Sequence, residues 1–275
     1  MFDSRDEWVV NSPADSTIVS LIQDIVKNIQ LIILISVKNI ASLTKLSFLG
    51  FAWQVINAIV TALLFVFLFN RVGGIEVEGL NYLVFAFVGT AVWGFVNSAC
   101  QRAPICIVGN REIVTRVYFP RIILAVVNCM EPLLAFGISL IMIVPLMLYF
   151  DIEFTKNILL FPVFFILLFL LVLGYTLLTA AVNSKYRDVG YLSQYFLRLW
   201  MWITPVAYPF SVIPEKFHPL YFLNPAAGIV ESIRWCLLST EFTGWVFLSF
   251  IVTILLFYIG IYVFSKHERT MIDFV

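Results

Sequence analysis

Six uncharged stretches constrain this chain more than any other feature: residues 46–70, 79–101, 132–150, 157–184, 199–214 and 242–265. Crossing the roughly 30 Å hydrocarbon core of a bilayer takes about 20 apolar residues in a helix. Each stretch is long enough, or nearly long enough. A backbone inside lipid must satisfy its own hydrogen bonds, and the helix is the way a single segment does so. The chain is 275 residues long, 61% hydrophobic and only 12% charged. Little polypeptide remains between the runs, so the expectation is one membrane domain over residues 1–275 with no soluble catalytic domain. Net charge is zero, which gives no reason to expect a nucleic-acid partner.

The loops set the orientation. Twelve Lys and Arg residues fall in the N-terminal region, the loops after the second and fourth spans, and the tail, against four (Arg71, Lys156, Lys216, Arg234) in the alternate loops. Basic residues stay on the cytoplasmic side, so six spans with both termini in the cytoplasm are expected. Residues 1–16 are acidic and polar and do not read as a secretory signal. The third span is best drawn from about residue 119, taking in Glu131, and the fifth over about 190–209, taking in Arg198. A charge within the membrane is costly and usually faces a partner or a water-filled path. Glu131 and Arg198 therefore pair or line a route, or each snorkels toward a local polar contact.

Three segments are not plain spans. Over residues 15–40, Ile18, Leu21, Ile22, Ile25, Ile29, Ile32 and Ile33 follow the spacing of a one-faced helix. Such a helix lies in the membrane interface or packs on protein. In the loop 108–121, Asn110 can cap a short helix over 108–119, with Glu112 in its first turn and Arg116 near its end. Pro120 then breaks the chain. This helix offers a docking surface for a soluble partner, or is a connector whose arginines set topology. The stretch 209–241 is too apolar for an ordinary loop, and prolines 214, 219 and 225 divide it. A re-entrant helical hairpin fits, since irregular backbone at membrane depth must be buried in protein or line a cavity. Pro209, Pro214, Asn224 and Pro225 mark it as a candidate gate at the external mouth.

Aromatic residues make up 16% of the chain. Some stand where interface belts do. Deeper ones, including Trp53, Phe65, Phe85, Trp93, Tyr195 and Trp200, are candidates to line a path for a sugar polymer, because aromatic faces are apolar yet tolerate polar edges. Packing against lipid or other helices is the alternative for any one of them. Four cysteines show no metal spacing and no disulfide framework is expected. The chain has no G-x-x-x-x-G-K-[ST] loop, H-E-x-x-H or G-x-S-x-G motif, and no metal site or cofactor of its own is expected. Uphill transport would need an energy source from a partner.

Several segments carry a resemblance. They are Lys45-Leu-Ser-Phe-Leu-Gly-Phe-Ala-Trp53, Asn110 through Tyr118-Phe-Pro-Arg121, Tyr186-Arg-Asp-Val-Gly190, Thr204-Pro-Val-Ala-Tyr-Pro209, Leu223-Asn-Pro225 and Phe264-Ser-Lys-His-Glu268. Together they resemble the membrane subunits of ABC-type polysaccharide exporters, the O-antigen, capsule and teichoic acid class. The resemblance implies an all-α polytopic protein with an interfacial helix, a cytoplasmic coupling helix and an external hairpin before the last span. It implies a homodimer in the bacterial inner membrane and two copies of a separate nucleotide-binding subunit carrying ATP and Mg. It makes Asn110, Arg111, Glu112, Arg116 and Tyr118 the contact with that ATPase. The implied function is export of a lipid-linked polysaccharide of O-antigen type, with capsule or teichoic acid as the alternative. From another class, a membrane-embedded transferase would need paired acidic or His residues near a membrane face. Arg187-Asp188 is the nearest candidate and reads better as a structural pair. A passive scaffold is the third possibility.

Overall fold

The computed structural model describes residues 18–44, 52–77, 80–110 and 119–268. Within them the chain forms α1 (Ile18–Lys27), α2 (Ile29–Thr44), α3 (Ala52–Phe65), α4 (Tyr82–Arg102), α5 (Ile122–Tyr149), α6 (Phe161–Lys185), α7 (Val189–Ile203), α8 (His218–Tyr221), α9 (Pro225–Leu238) and α10 (Val246–His267). No strand occurs among the described residues. Among the described residues, four helical stretches are long and apolar enough to cross a membrane: Tyr82–Ile105, Ile122–Tyr149, Lys156–Lys185 and Val246–His267.

The first and fifth runs behave differently. Helix α3 passes into a widened π-type turn, Val66–Val72, and the chain reverses at Gly73 and Gly74. Gly74 takes a φ of 66°, a conformation that glycine adopts without steric cost. Helix α7 has 15 residues, about 22 Å at the helical rise, and it stops for a local reason. Thr204 precedes Pro205, whose ring disfavours the α conformation one residue back, and Thr204 is extended at φ −91°, ψ 141°. Residues 204–214 then run as short turns.

The N-terminal segment is two helices. The Asn28 side chain donates to the Asp24 carbonyl at 2.8 Å where they meet. Helix α2 buries Ile32, Ile35 and Ser36 and leaves Ile29, Ile33, Leu34 and Val37 exposed. The apolar stripe read through Ile33 therefore does not continue as one buried face.

Helix α4 sits at the centre, packed by α3, α5, α6, α7 and α9, with Val84, Ala86, Val88 and Ala99 completely buried. The most extensive contact joins α6 and α10, where glycines let two backbones meet, as small residues do between membrane helices. A Cβ on Gly260 would stand 2.3 Å from the Gly174 carbonyl oxygen, and one on Gly174 would stand 2.6 Å from the Phe257 Cα. Large apolar side chains such as Ile141, Leu159 and Tyr191 remain exposed on the outside, as a lipid-facing surface requires.

Candidate functional site

The carboxyl ends of α4, α6 and α10 meet the amino ends of α5 and α7 at one end of the bundle, and the quoted motifs converge there. Asn183, near the end of α6, donates to the Pro104 carbonyl at 2.8 Å and accepts from the Gly190 backbone at 3.0 Å. One buried amide thus ties the Arg187-Asp188 turn to the 3₁₀ turn after α4. The Arg121 backbone N–H donates to the Glu268 carboxylate at 3.2 Å, joining the Tyr-Phe-Pro-Arg junction to the Phe…Glu ending. Burial pushes the Glu268 carboxyl above the usual carboxylate range, against the opposing pull of Arg121. Asn110 donates to the Cys106 carbonyl at 2.8 Å. Arg111, Glu112, Arg116 and Tyr118 lie outside the described residues, so the structure supplies only the two ends from which that segment departs.

The intramembrane charges separate. Glu131 forms an ion pair with Arg102 at the end of α4, a residue the loop count had treated as a connector cation. Beside it, Asn128 donates to the Ala99 carbonyl at 2.9 Å, and Pro132 lacks the N–H that would bond the Asn128 carbonyl. Arg198 is exposed, with its guanidinium 5.8 Å from the Tyr195 ring one turn back.

Midway along the bundle lies a groove of about 430 Å³ between α3, α4 and α5. Its α4 wall is Thr90, Ala91, Gly94, Asn97 and Ser98, positions that share one helical face. Asn57 and Thr61 face it from α3, Ser139 from α5. A Cβ added to Gly94 would meet nothing within 4 Å. Among the described residues the lining has no charged side chain. Trp93 touches the groove and packs edge-on against Trp200, 5.8 Å between centroids. Phe65 is buried against Phe69, and Phe85 is buried in the core, while Trp53 and Tyr195 are exposed. The sequence reading followed aromatics and charges and passed over Asn57, Thr61, Asn97 and Ser98. The signal available was their helical spacing within uncharged runs.

At the opposite end, α9 is locked into the bundle. Asn224 accepts from the Ala226 backbone at 3.1 Å, capping α9, and from the Trp200 indole at 2.7 Å, and donates to the Thr204 hydroxyl at 3.0 Å. Ser249 of α10 donates to the carbonyls of Phe222 (2.7 Å) and Asn224 (2.9 Å). Pro225 opens the helix, where its missing N–H costs nothing. Pro209 and Pro214 precede short 3₁₀ turns. Arg234, counted from sequence as an external loop cation, is fully buried and paired with buried Glu231 at 2.9 Å. It also donates to the Val206 carbonyl at 2.6 Å and to the Pro205 carbonyl, and its guanidinium lies 3.6 Å from the Phe85 ring centroid. Gly89 makes the room: a Cβ there would be 2.3 Å from both the arginine nitrogen and the Val206 oxygen. Glu231 also borders a pocket of about 670 Å³ whose rim carries Glu76, Asp151, Glu153 and Glu241.

Among the described residues the chain is helical, with four stretches long and apolar enough to span a membrane, which defines a multi-pass membrane protein. The comparisons make this specific. Residues 30–238 match the ABC-2 type transporter family, and the chain belongs to it. It is 30% identical over 194 residues to the O-antigen export system permease protein RfbA of Myxococcus xanthus, covering 68% of this chain and 72% of that one. It is 24% identical over 238 residues to the protein of the same name from Klebsiella pneumoniae, covering 86% and 91%.

Proposed function

We propose that this chain is the channel-forming permease of an exporter that moves a lipid-linked polysaccharide of O-antigen type across the bacterial inner membrane. Two copies form the channel, and two copies of a separate ATPase supply the energy. The observation that carries this reading is the similarity to O-antigen export permeases over nearly the whole of both chains. The uncharged polar groove suits it physically. Hydroxyls and amides exchange hydrogen bonds with a sugar polymer while no fixed charge holds it. The basic end faces the cytoplasm by the positive-inside rule, and six spans follow if 46–70 and 190–209 cross with the four long helices.

Segment 108–119 couples the ATPase to the spans, through Asn110, Arg111, Glu112, Arg116 and Tyr118. Such coupling requires contacts that differ between nucleotide states, because a contact equal in both shifts nothing. The four rim carboxylates of the hairpin-end pocket, Glu76, Asp151, Glu153 and Glu241, favour a neutral glycan over a polyanionic one such as teichoic acid, which they would repel. Deleting the gene should remove the surface glycan and leave lipid-linked glycan inside the cell, with a plasmid copy restoring export. Unchanged surface glycan in the deletion strain would sink the reading.

A further inference from the structure

A second polar pocket lies at the basic end, about 210 Å³ between α2, the turns following α4, and α5. Its polar lining is Ser36, Asn39, Arg102, Asn110, Asn128 and Glu131. Ser36 is only 7% exposed, and its hydroxyl has no hydrogen-bond partner. A buried hydroxyl left unsatisfied costs on the order of 1–3 kcal/mol, so a fold keeps one when something else supplies the bond. Protein–ligand pockets for drug-sized molecules run from about 300 Å³ upward, so this one suits a single small ring.

The lining also selects the chemistry. Arg102 and Glu131 pair with each other, leaving the described lining without net charge. An anion would meet the Glu131 carboxylate and a cation the Arg102 guanidinium. The Asn128 and Asn110 amides each donate one N–H to the Ala99 and Cys106 carbonyls, so each retains a second N–H and its oxygen. Ser36 and Asn39 can both donate and accept. Donors and acceptors around a neutral centre match a polyol.

We propose that this pocket binds one neutral sugar ring of the glycan at the entrance to the transport path, with Ser36 and Asn39 bonding its hydroxyls. The proposal rests on the exporter reading for the source of the sugar. The pocket also touches Asn110, the last described residue before the coupling segment, so an occupied site would be felt there first.

The test uses the full-length chain with its co-expressed ATPase in inside-out membrane vesicles. Ser36→Cys and Asn39→Cys are each made with Cys106→Ser, because Cys106 lines the same pocket. Labelling by a small impermeant thiosulfonate is timed with and without a panel of methyl glycosides (gluco, galacto, manno) at matched osmolarity. Val37→Cys, on the exposed side of α2, is the control. Occupancy slows labelling by 1 + [L]/Kd, about threefold when glycoside stands at twice its Kd. Slowing at 36 and 39 by at least one glycoside, with none at 37, is the expected result. Protection by inorganic phosphate instead, or by neither, would overturn the proposal, the second result meaning that water alone fills the pocket. Labelling needs no hydrolysis, so protection in a chain that recovers no ATPase would keep the pocket and remove the exporter.

Discussion

Arg234 should be the most expensive single residue to lose at the hairpin end. Replacing it with Met, which keeps length and apolar stem, removes the partner of a Glu231 that is 3% exposed and the donors to the Pro205 and Val206 carbonyls. Breaking a buried ion pair from one side costs about 3–5 kcal/mol. Glu231→Gln leaves the Arg234 charge without its counter-charge, but it falls short of Arg234→Met because the arginine keeps both carbonyls and can still donate to the amide oxygen. The double change Glu231→Leu with Arg234→Met removes the orphaned charge, and apolar replacement of a pair is often neutral. Here it should recover only in part, since the two carbonyls stay without donors at about 1–3 kcal/mol each. Unfolding in mixed micelles by SDS titration, followed by the fluorescence of the seven tryptophans, gives the three values. The order expected is Arg234→Met worst, with Glu231→Gln and the double change both less costly. A cost for Arg234→Met under about 1 kcal/mol, a surface-pair magnitude, would show that Arg234 does not hold the hairpin end together.

Other consequences are simpler. Asn224→Ala removes the cap of α9, about 1 kcal/mol, and the acceptor of the Trp200 indole, another ~1 kcal/mol; the same titration should show a loss near their sum. Gly260→Ala forces a methyl against the Gly174 carbonyl and should destabilise by about 1–3 kcal/mol, whereas Gly94→Ala, facing open space, should leave stability unchanged. Burial raises the Glu268 carboxyl from its ordinary 4.5, so the folded state holds that proton more tightly than the unfolded one. Its contribution is complete below pH 4.5 and is lost as pH rises through the folded value. Glu268→Gln should flatten that part of a stability–pH curve measured from pH 4 upward, and an unaltered slope would contradict the assignment.

Much of the bundle could be read from hydropathy because a lipid-spanning helix needs only length and the lack of charge. The runs that became α4, α5, α6 and α10 satisfy both. The fifth run does not translate directly, since Pro205 ends α7 through the conformation of Thr204, a local effect that averaged hydropathy does not register. The sequence marks Asn224 and Pro225 only as part of a divided apolar segment, whereas in the structure they cap and open α9; the buried α9 agrees with a segment too apolar for a loop. Arg234 was not legible as a core residue. Its burial depends on Gly89, Phe85 and the Val206 carbonyl, which are distant in sequence and come together only in the folded bundle. The polar groove was hidden for the opposite reason: Asn57, Thr61, Asn97 and Ser98 are individually ordinary in membrane helices and acquire meaning only when three helices turn them toward one space. For Glu131 the sequence leaves pairing, lining a route and snorkelling open; Arg102 pairs with it across the α4–α5 contact.

The exporter account is tested most directly by purifying this chain from its native membrane in mild detergent, identifying what accompanies it, and assaying ATP hydrolysis. The account predicts a P-loop ATPase at about one copy per chain, with hydrolysis that changes when Glu112 and Arg116 are replaced together. A chain that purifies alone, from a preparation without ATPase activity, would contradict it.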